Sequence, residues 1–598
     1  MTPLIIIPIL IQLAIIGAII YGVLVWRRRA AESGPDVGIG TPRRFYFYSI
    51  SFIALMLLVS GITMVLMTLL DELFGGPVIR DSTTRLATGL ALTIVGLPLW
   101  GLHWRFVQNK VEAQPSERRS ILRRLYLNVS MGVAVGFLAY NGYKVIEWIL
   151  QVGDFPAFSW AAVLVWAPVW AYHWWIESNE SADSIPLTRG ISRLYLYLAS
   201  ALGIAMLASG VGFLVYFILN EGYSAAFAVD LTGSERLLGD AARTALSVSL
   251  VGGLIWWTHW FRFASDDRSS ILRWIYLFVA TIGGGTIASL VGAGIAIYAP
   301  LSWFLGAASE SAANHFEDLP AGIAIAAVGI ALWVYHRRRM ISESSGNEAF
   351  HVNRSYDLLI AAIGLLTVAF ASGVVLDTFF RLISDTSSLV VVTSVQWRER
   401  IAVILTLYLI GIPVWLAHWR RVQLPAFANP EVERIALPRK LYVMGVLCLG
   451  LLALVGGASS TLFFFLRDLL DSELSANTLS DLSTGLAVVL TVLLAIPYHW
   501  VIYRQDRELE PDEPEPVAAS ASKPVTLLTA AGGEGLAARV ESTLGYRVTQ
   551  VNWPDPDAFV PTLSAEQIEL LSEQVTSAPG TSVLLVPDAN GLKVISYN

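Results

Sequence analysis

The chain has 598 residues, 55% of them hydrophobic and only 15% charged, with a mean hydropathy of +0.59. A soluble globular domain carries about a quarter charged residues, so the bulk of this chain has to be solvated by lipid. A net charge of −7 with no basic run interleaved with aromatics excludes a nucleic-acid binder, and a single cysteine, Cys448, excludes an intramolecular disulfide.

The first apolar stretch runs from Leu4 to Val25. Nothing basic precedes it and Arg27, Arg28 and Arg29 follow it, the reverse of a cleaved signal peptide. Residues 1–30 therefore read as an N-terminal transmembrane anchor with its N-terminus outside.

Twelve further apolar segments of about 17 to 25 residues follow, the length that crosses a hydrocarbon core about 30 Å thick. They form six hairpins. The first helix of each opens with a basic residue two or three places before a tyrosine: Arg44 and Tyr46, Arg123 and Tyr126, Arg193 and Tyr195, Arg273 and Tyr276, Arg354 and Tyr356, Arg439 and Tyr442. The second helix closes on a histidine. In the odd hairpins the closure is Trp100-Gly-Leu-His103-Trp104, Trp256-Trp-Thr-His259-Trp260 and Trp415-Leu-Ala-His418-Trp419. In the even hairpins it is Trp170-Ala-Tyr-His173-Trp174, Trp333-Val-Tyr-His336 and Ile496-Pro-Tyr-His499-Trp500.

Because odd and even hairpins differ, the true repeat is a four-helix unit. His173, His336 and His499 are evenly spaced, 336 − 173 and 499 − 336 both being 163. Periodic units must stack to bury their faces. The units fall at 43–180, 188–340 and 352–504. Each has an even number of crossings, so the three are parallel. Lysine and arginine concentrate in the loops after the histidines, which places those loops, and the C-terminus, in the cytoplasm and the chain in the plasma (inner) membrane. Arg85, Arg243 and Arg400 open the second helices of the odd hairpins and are expected to face Asp71 or Glu72, Glu221 and Asp377.

After Arg504 the composition changes. Residues 505–523 form an acidic, proline-rich linker. Residues 524–598 alternate between short apolar strands (Val525 to Thr529, Arg547 to Val551, Ser582 to Val586, Leu592 to Ile595) and helices after Gly533 and from Ser564, the pattern of a small α/β domain. The expected fold is an all-α polytopic membrane protein of about thirteen transmembrane helices, six hairpins forming three parallel four-helix repeats, with a small C-terminal cytoplasmic α/β domain.

Six histidines at matching helix ends invite a haem or metal reading, since iron and other transition metals accept imidazole. No pair sits on one helix at ligand spacing, and a tryptophan three residues before a histidine shares its helix face. The residues Trp100, His103, Trp104, Trp170, His173, Trp256, His259, Trp260, Trp333, His336, Trp415, His418, Trp419, His499 and Trp500 therefore read as a structural signature of the interfacial aromatic belt, with no cofactor, metal or catalytic residue assigned. The opening arginines are expected to meet anionic headgroups with the tyrosine hydroxyls in water; the alternative is an arginine stacked on a neighbouring tryptophan. Helix centres such as Ser51 to Leu70 and Leu196 to Leu219 hold no ionisable residue, against an ion-coupled transporter. Gly283 to Gly285, Gly292, Gly294, Gly456 and Gly457 are expected to bring helices close together. Gly532-Gly533-Glu534-Gly535 reads as a glycine turn.

The openings Arg124-Leu125-Tyr126 and Arg193-Leu194-Tyr195, with the closures from Pro98 to Arg105 and from Pro413 to Arg420, resemble those of bacterial multi-pass membrane proteins carrying tandem copies of a hairpin domain, domain of unknown function 5671. The resemblance covers about residues 43 to 504 and implies architecture, with no activity to carry over. His336, followed by Arg337 instead of tryptophan, departs from the pattern. The expected function is a non-enzymatic membrane scaffold or sensor, with the lipid bilayer and a cytoplasmic protein bound to the C-terminal domain as partners. The alternatives are a conduit for a small or uncharged solute and a haem-binding redox protein.

Overall fold

A computed structural model of the chain describes residues 42–74, 82–227, 239–385 except 269, 308–310 and 345, 396–509, 524–529, 534–544, 548–552, 560–579 except 562 and 564, 582–588 and 591–597. The expected N-terminal anchor, most of the linker and Gly532-Gly533 lie outside these residues. The described chain divides into two units, up to Arg507 and from Glu508.

The first unit is helical. Its long helices are α1 (Pro42–Phe74), α2 (Ser82–Ala113), α3 (Ile121–Ile149), α4 (Ala157–Asn179), α5 (Pro186–Phe227) and α6 (Asp240–Trp256, continued by a π-helical stretch Trp257–Phe263). Next comes α7, a composite of Ile271–Ile275, a π-helical stretch Tyr276–Gly283 and Gly284–Phe304. The others are α8 (Leu319–Glu343), α9 (Gly346–Asp385), α10 (Gln396–Ala428), α11 (Leu437–Leu470) and α12 (Ala476–Arg507). Ten described helices are long and apolar enough to cross a membrane; Ala157–Asn179 and Asp240–Trp256 are not among them. In α6 the reason is local, because regular helix gives way to π-helix after 17 residues. Large apolar side chains stand on the outside, Leu73, Phe304, Leu470 and Leu494 among them. Water would penalise each by about 1.5–3 kcal/mol, whereas lipid does not.

Consecutive helices pair as hairpins, and glycines set how closely. A Cβ on Gly292 of α7 would lie 2.4 Å from the backbone nitrogen of Ala326 in α8, and one on Gly203 of α5 would lie 2.5 Å from that of Trp256. The backbones touch there, as small residues permit in lipid. Gly285 and Gly457 make similar approaches, Gly294 faces Ile410, and Gly284 and Gly456 face nothing within 4 Å.

The hairpins then pack in a regular order. The first helix of each odd hairpin lies on the second helix of the next even one: α1 on α4, α5 on α8, α9 on α12. The first helix of an even hairpin lies on the next odd hairpin: α3 on α5 and α6, and α7 on α10. Met131, Val135 and Ala139 of α3 are thereby buried against Tyr195, Val251 and Ile255.

At the other helix ends, Arg85 pairs with Asp71 at 3.0 Å and Arg400 with Asp377 at 3.3 Å, as expected. Arg243 departs from the expectation. It lies 3.8 Å from Asp240, one turn away on its own helix, instead of reaching Glu221. Lys144 is paired to Glu147, which also accepts from the Thr244 hydroxyl at 2.6 Å and so ties α3 to α6. The turns after α3, α7 and α11 share one geometry: Gln151, Gly306 and Ser472 have φ of 64°, 68° and 58°, and the next residue's N–H returns to Glu147, Ser302 and Asp468. This closes each helix with its last carbonyls satisfied.

The second unit is a four-stranded sheet in the order β2-β1-β3-β4, with β1 (Val525–Thr529), β2 (Thr549–Asn552), β3 (Ser582–Asp588) and β4 (Gly591–Tyr597). β1 is parallel to β2 and β3, and β4 is antiparallel to β3. Val525, Leu527, Val583 and Leu585 face helices α13 (Glu534–Leu544) and α14 (Ala565–Ser577), where Val540, Leu571 and Val575 complete the core. Of the second expected strand, Thr549 to Val551 lies in β2 and Arg547 lies outside the described residues; the last two strands extend beyond their expected ends because they pair residue for residue from Ser582–Tyr597 to Asp588–Gly591.

Candidate functional site

The opening arginines do not reach outward. Arg123, Arg273 and Arg439, which open the even hairpins, are buried, at 0%, 1% and 2% exposure. A buried guanidinium has to be paired and its donors satisfied. Arg123 donates to both carboxylate oxygens of Glu180, at 2.8 and 2.6 Å, and Arg273 to those of Glu343, both at 2.7 Å. Arg439 does the same to Asp506, at 2.7 and 3.2 Å. A further donor goes to Gln108, to the Ala264 carbonyl and to Gln423 respectively, each at 2.9 Å.

The guanidinium faces lie over the odd-hairpin tryptophans: Arg123 over Trp104, Arg273 over Trp260 and Arg439 over Trp419, 4.4 to 5.6 Å from the ring centres. This is the stacked arrangement rather than the headgroup one. The odd-hairpin arginines are paired too: Arg44 with Glu117, Arg193 with Asp267 and Arg354 with Glu433.

The tryptophans in turn reach tyrosines. Trp104, Trp260 and Trp419 donate Nε1–H to the hydroxyls of Tyr172, Tyr335 and Tyr498, at 2.6, 2.9 and 2.6 Å. These tyrosines stand just before the even histidines, where the odd copies have Leu102, Thr258 and Ala417. The even copies thus carry the acceptor that the odd tryptophans need. Trp100, Trp170, Trp256 and Trp333 donate to the opening tyrosine of the following hairpin, Tyr126, Tyr195, Tyr276 and Tyr356, at 2.7 to 3.2 Å. Trp415 Nε1 has no partner among the described residues, and Trp500 is half exposed. Five of the six opening tyrosines are buried where wet hydroxyls were expected; Tyr46 alone is exposed.

Each histidine bonds through Nδ1 to the carbonyl four residues before it, from 2.7 to 3.0 Å: His103 to Leu99, His173 to Val169, His259 to Ile255, His336 to Leu332, His418 to Val414 and His499 to Ala495. A carbonyl only accepts, so Nδ1 carries a proton, and in the neutral ring Nε2 carries the lone pair. For His173 and His259 that lone pair meets the hydroxyls of Tyr126 and Tyr195, at 3.2 and 2.8 Å. The result is a polarised chain from tryptophan N–H through tyrosine O–H to histidine and back to the helix. Among the described residues Nε2 of His336 and of His499 has no partner; His336 is enclosed by Trp256, Trp260, Tyr276 and Tyr335, and His499 by Trp419, Tyr442 and Tyr498. Among the described residues no three histidine, cysteine or acidic side chains group as metal ligands.

The acids were missed as site residues, although their spacing is regular. Glu117, Asp267 and Glu433 each precede an even-hairpin arginine by six residues, and Glu180, Glu343 and Asp506 each follow an even histidine by seven. Chemically the arrangement is a clamp: it fixes helix ends through charge, ring stacking and hydrogen bonds together.

The Trp104–Tyr172 bond offers a clean measurement. Trp104→Phe and Tyr172→Phe should each lower stability by about 0.5–1.5 kcal/mol beyond any packing loss, and the double variant by less than the sum. Thermal unfolding of the four proteins in one detergent tests this; strict additivity would mean that the hydrogen bond contributes nothing.

A family model described as a domain of unknown function, DUF5671, matches the chain three times in tandem, over residues 44–155, 193–316 and 354–494. Each match begins on an odd-hairpin arginine, Arg44, Arg193 or Arg354, includes the acid paired with it, Glu117, Asp267 or Glu433, and ends within the even hairpin before its histidine and clamp acid. No curated protein and no solved structure matches.

Proposed function

The chain belongs to the DUF5671 family, and from that premise we propose that it is a multi-pass integral membrane scaffold that holds its C-terminal α/β unit at the cytoplasmic face. In this reading thirteen spans, the anchor at residues 1–30 and three parallel four-helix repeats, leave the N-terminus outside. The linker at 505–523 tethers the α/β unit, and the partner is a cytoplasmic protein.

One observation carries the reading: the buried charges at the repeat closures are consumed in joining helices. Arg273 and Arg439 donate from Nε, Nη1 and Nη2, Arg123 donates from Nε and Nη2 while its Nη1 has no partner among the described residues, and all three are stacked on one face. Work of this kind builds rigidity, which a scaffold needs. Two surface grooves, one along α8 at Ala327, Val334 and Arg338 and one at Leu219, Tyr223 and Phe316, are open hollows rather than enclosed chambers. They give no support to a conduit. Haem ligation would have to displace tyrosine from Nε2 of His173 and His259, so those two histidines favour the scaffold as well.

Proteolysis in oriented vesicles tests the tether. Protease added to inside-out vesicles should cut between Glu508 and Ser522 and release the α/β unit into solution, while right-side-out vesicles stay intact at that segment. Release from right-side-out vesicles would reverse the orientation, and a cut unit that stays on washed membranes would remove the tether. A cytoplasmic protein cross-linked to the full chain, yet absent when the chain ends at Arg507, is the expected partner signal; identical cross-links from both chains would end the scaffold reading.

A further inference from the structure

We propose that copies of this chain associate head to tail in the membrane, α11 of one copy packing on α1 and α2 of the next. The proposal rests on the membrane reading above and is independent of the scaffold role. It follows from the joints inside the chain, because each repeat presents the same two faces and two of the three joints are already formed.

The formed joints use α3 against α5 and α6, and α7 against α10. By position relative to the opening arginine, Val135 and Ala139 of α3 correspond to Leu451 and Val455 of α11. The first two are each 4% exposed and the second two each 57%. On the receiving face, counting back from the odd histidine, Val251 and Ile410 correspond to Val95. They are 7% and 8% exposed, and Val95 is 57%. Tyr195, at 6%, corresponds to Tyr46, at 52%. Among the described residues the extensive packing of α11 and α2 is within their own repeats.

Apolar exposure alone says little in lipid, where nothing drives leucine away from the acyl chains. What identifies the occupant is complementarity already realised twice in the same chain. A Cβ on Gly142, 19 residues after Arg123, would lie 3.5 Å from Val251, and one on Gly294, 21 residues after Arg273 and beyond the π-helical stretch that offsets α7, would lie 3.8 Å from Ile410. The position of Gly142 in α11 is Ala458, also small and exposed. One element is not repeated: Ile496 stands where Trp170 and Trp333 donate to the next tyrosine. The joint between copies therefore lacks a hydrogen bond that the internal ones have, and it is the weaker and more reversible. Because the two faces differ, the contact is heterologous and builds a ring if the rotation closes or a row if it does not.

The lone cysteine provides the test. Cys448 occupies the position of Gly132, whose Cβ would lie 4.0 Å from the Tyr195 ring, so its counterpart in another copy is Tyr46. In native membranes, Tyr46→Cys treated with copper–phenanthroline or a short bis-maleimide should give dimers and larger species, which Tyr46→Cys with Cys448→Ala should not give. Co-expressed, a tagged chain carrying Tyr46→Cys and Cys448→Ala should cross-link to an otherwise wild-type chain. Ala458→Trp, at a position exposed within its own copy, should cut the yield several-fold while the monomer still elutes as a sharp peak. Monomer alone would show that lipid or residues 1–30 of the same chain cover the face. Undiminished cross-linking without Cys448 would show a different contact. Either result overturns the proposal, and neither bears on the protease test of the tether.

Discussion

Arg123→Met should cost the protein about 3–5 kcal/mol, the usual penalty for leaving one member of a buried ion pair alone. The substitution keeps a long apolar stem over Trp104 but strands Glu180, itself only 7% exposed, with no cation at its carboxylate. In detergent the variant should unfold at a much lower temperature or elute as aggregate. Adding Glu180→Leu should recover most of the loss, since two well-packed apolar groups replace an ion pair at little cost. A single variant as stable as wild type would show that the pair holds nothing. A double variant as weak as the single would place the energy in Gln108 and the ring stack instead.

The second large effect compares one substitution at two sites. Gly292→Ala puts a methyl carbon 2.4 Å from the Ala326 nitrogen and from the Gly322 carbonyl oxygen. Both are backbone, so α7 and α8 must move apart along their length. Overpacking of this kind costs about 1–3 kcal/mol, and more where no side chain can yield. Gly136→Ala adds the same methyl where nothing lies within 4 Å, and it should be neutral or slightly stabilising, because alanine favours helix by about 1 kcal/mol. Expression and thermal unfolding of the two variants side by side check the contrast; equal behaviour would refute close backbone packing.

Much of the helical unit is legible in the sequence, because lipid demands long apolar runs and the repeats print the same openings and closures again and again. The alternating apolar residues of Val525–Thr529 and Ser582–Asp588 announce their strands equally well. The clamp is harder to read. Glu180, Glu343 and Asp506 lie among other loop charges, vary between two residue types, and find their arginines 57 to 70 positions away. Without the fold, Arg123 looks like a surface cation near headgroups. Arg243 shows the opposite error: Glu221 looked like its partner across a loop, but Asp240, one turn away, needs no loop closure to reach it. The tyrosines of the even copies, Tyr172, Tyr335 and Tyr498, are visible in the sequence as a difference between copies, yet only the positions of Trp104, Trp260 and Trp419 say what the difference is for.

The direction of the arginine pairs has a bearing on biosynthesis. Arg44, Arg123, Arg193, Arg273, Arg354 and Arg439 are all answered by an acid that lies later in the chain: Glu117, Glu180, Asp267, Glu343, Glu433 and Asp506. The longest of these gaps is 79 residues. As the ribosome delivers the chain, each arginine waits for about one further hairpin before its charge is neutralised, and none waits for the C-terminus. Assembly can therefore proceed in the order of synthesis, each new hairpin locking the one before it, with at most the newest arginines unanswered at any moment.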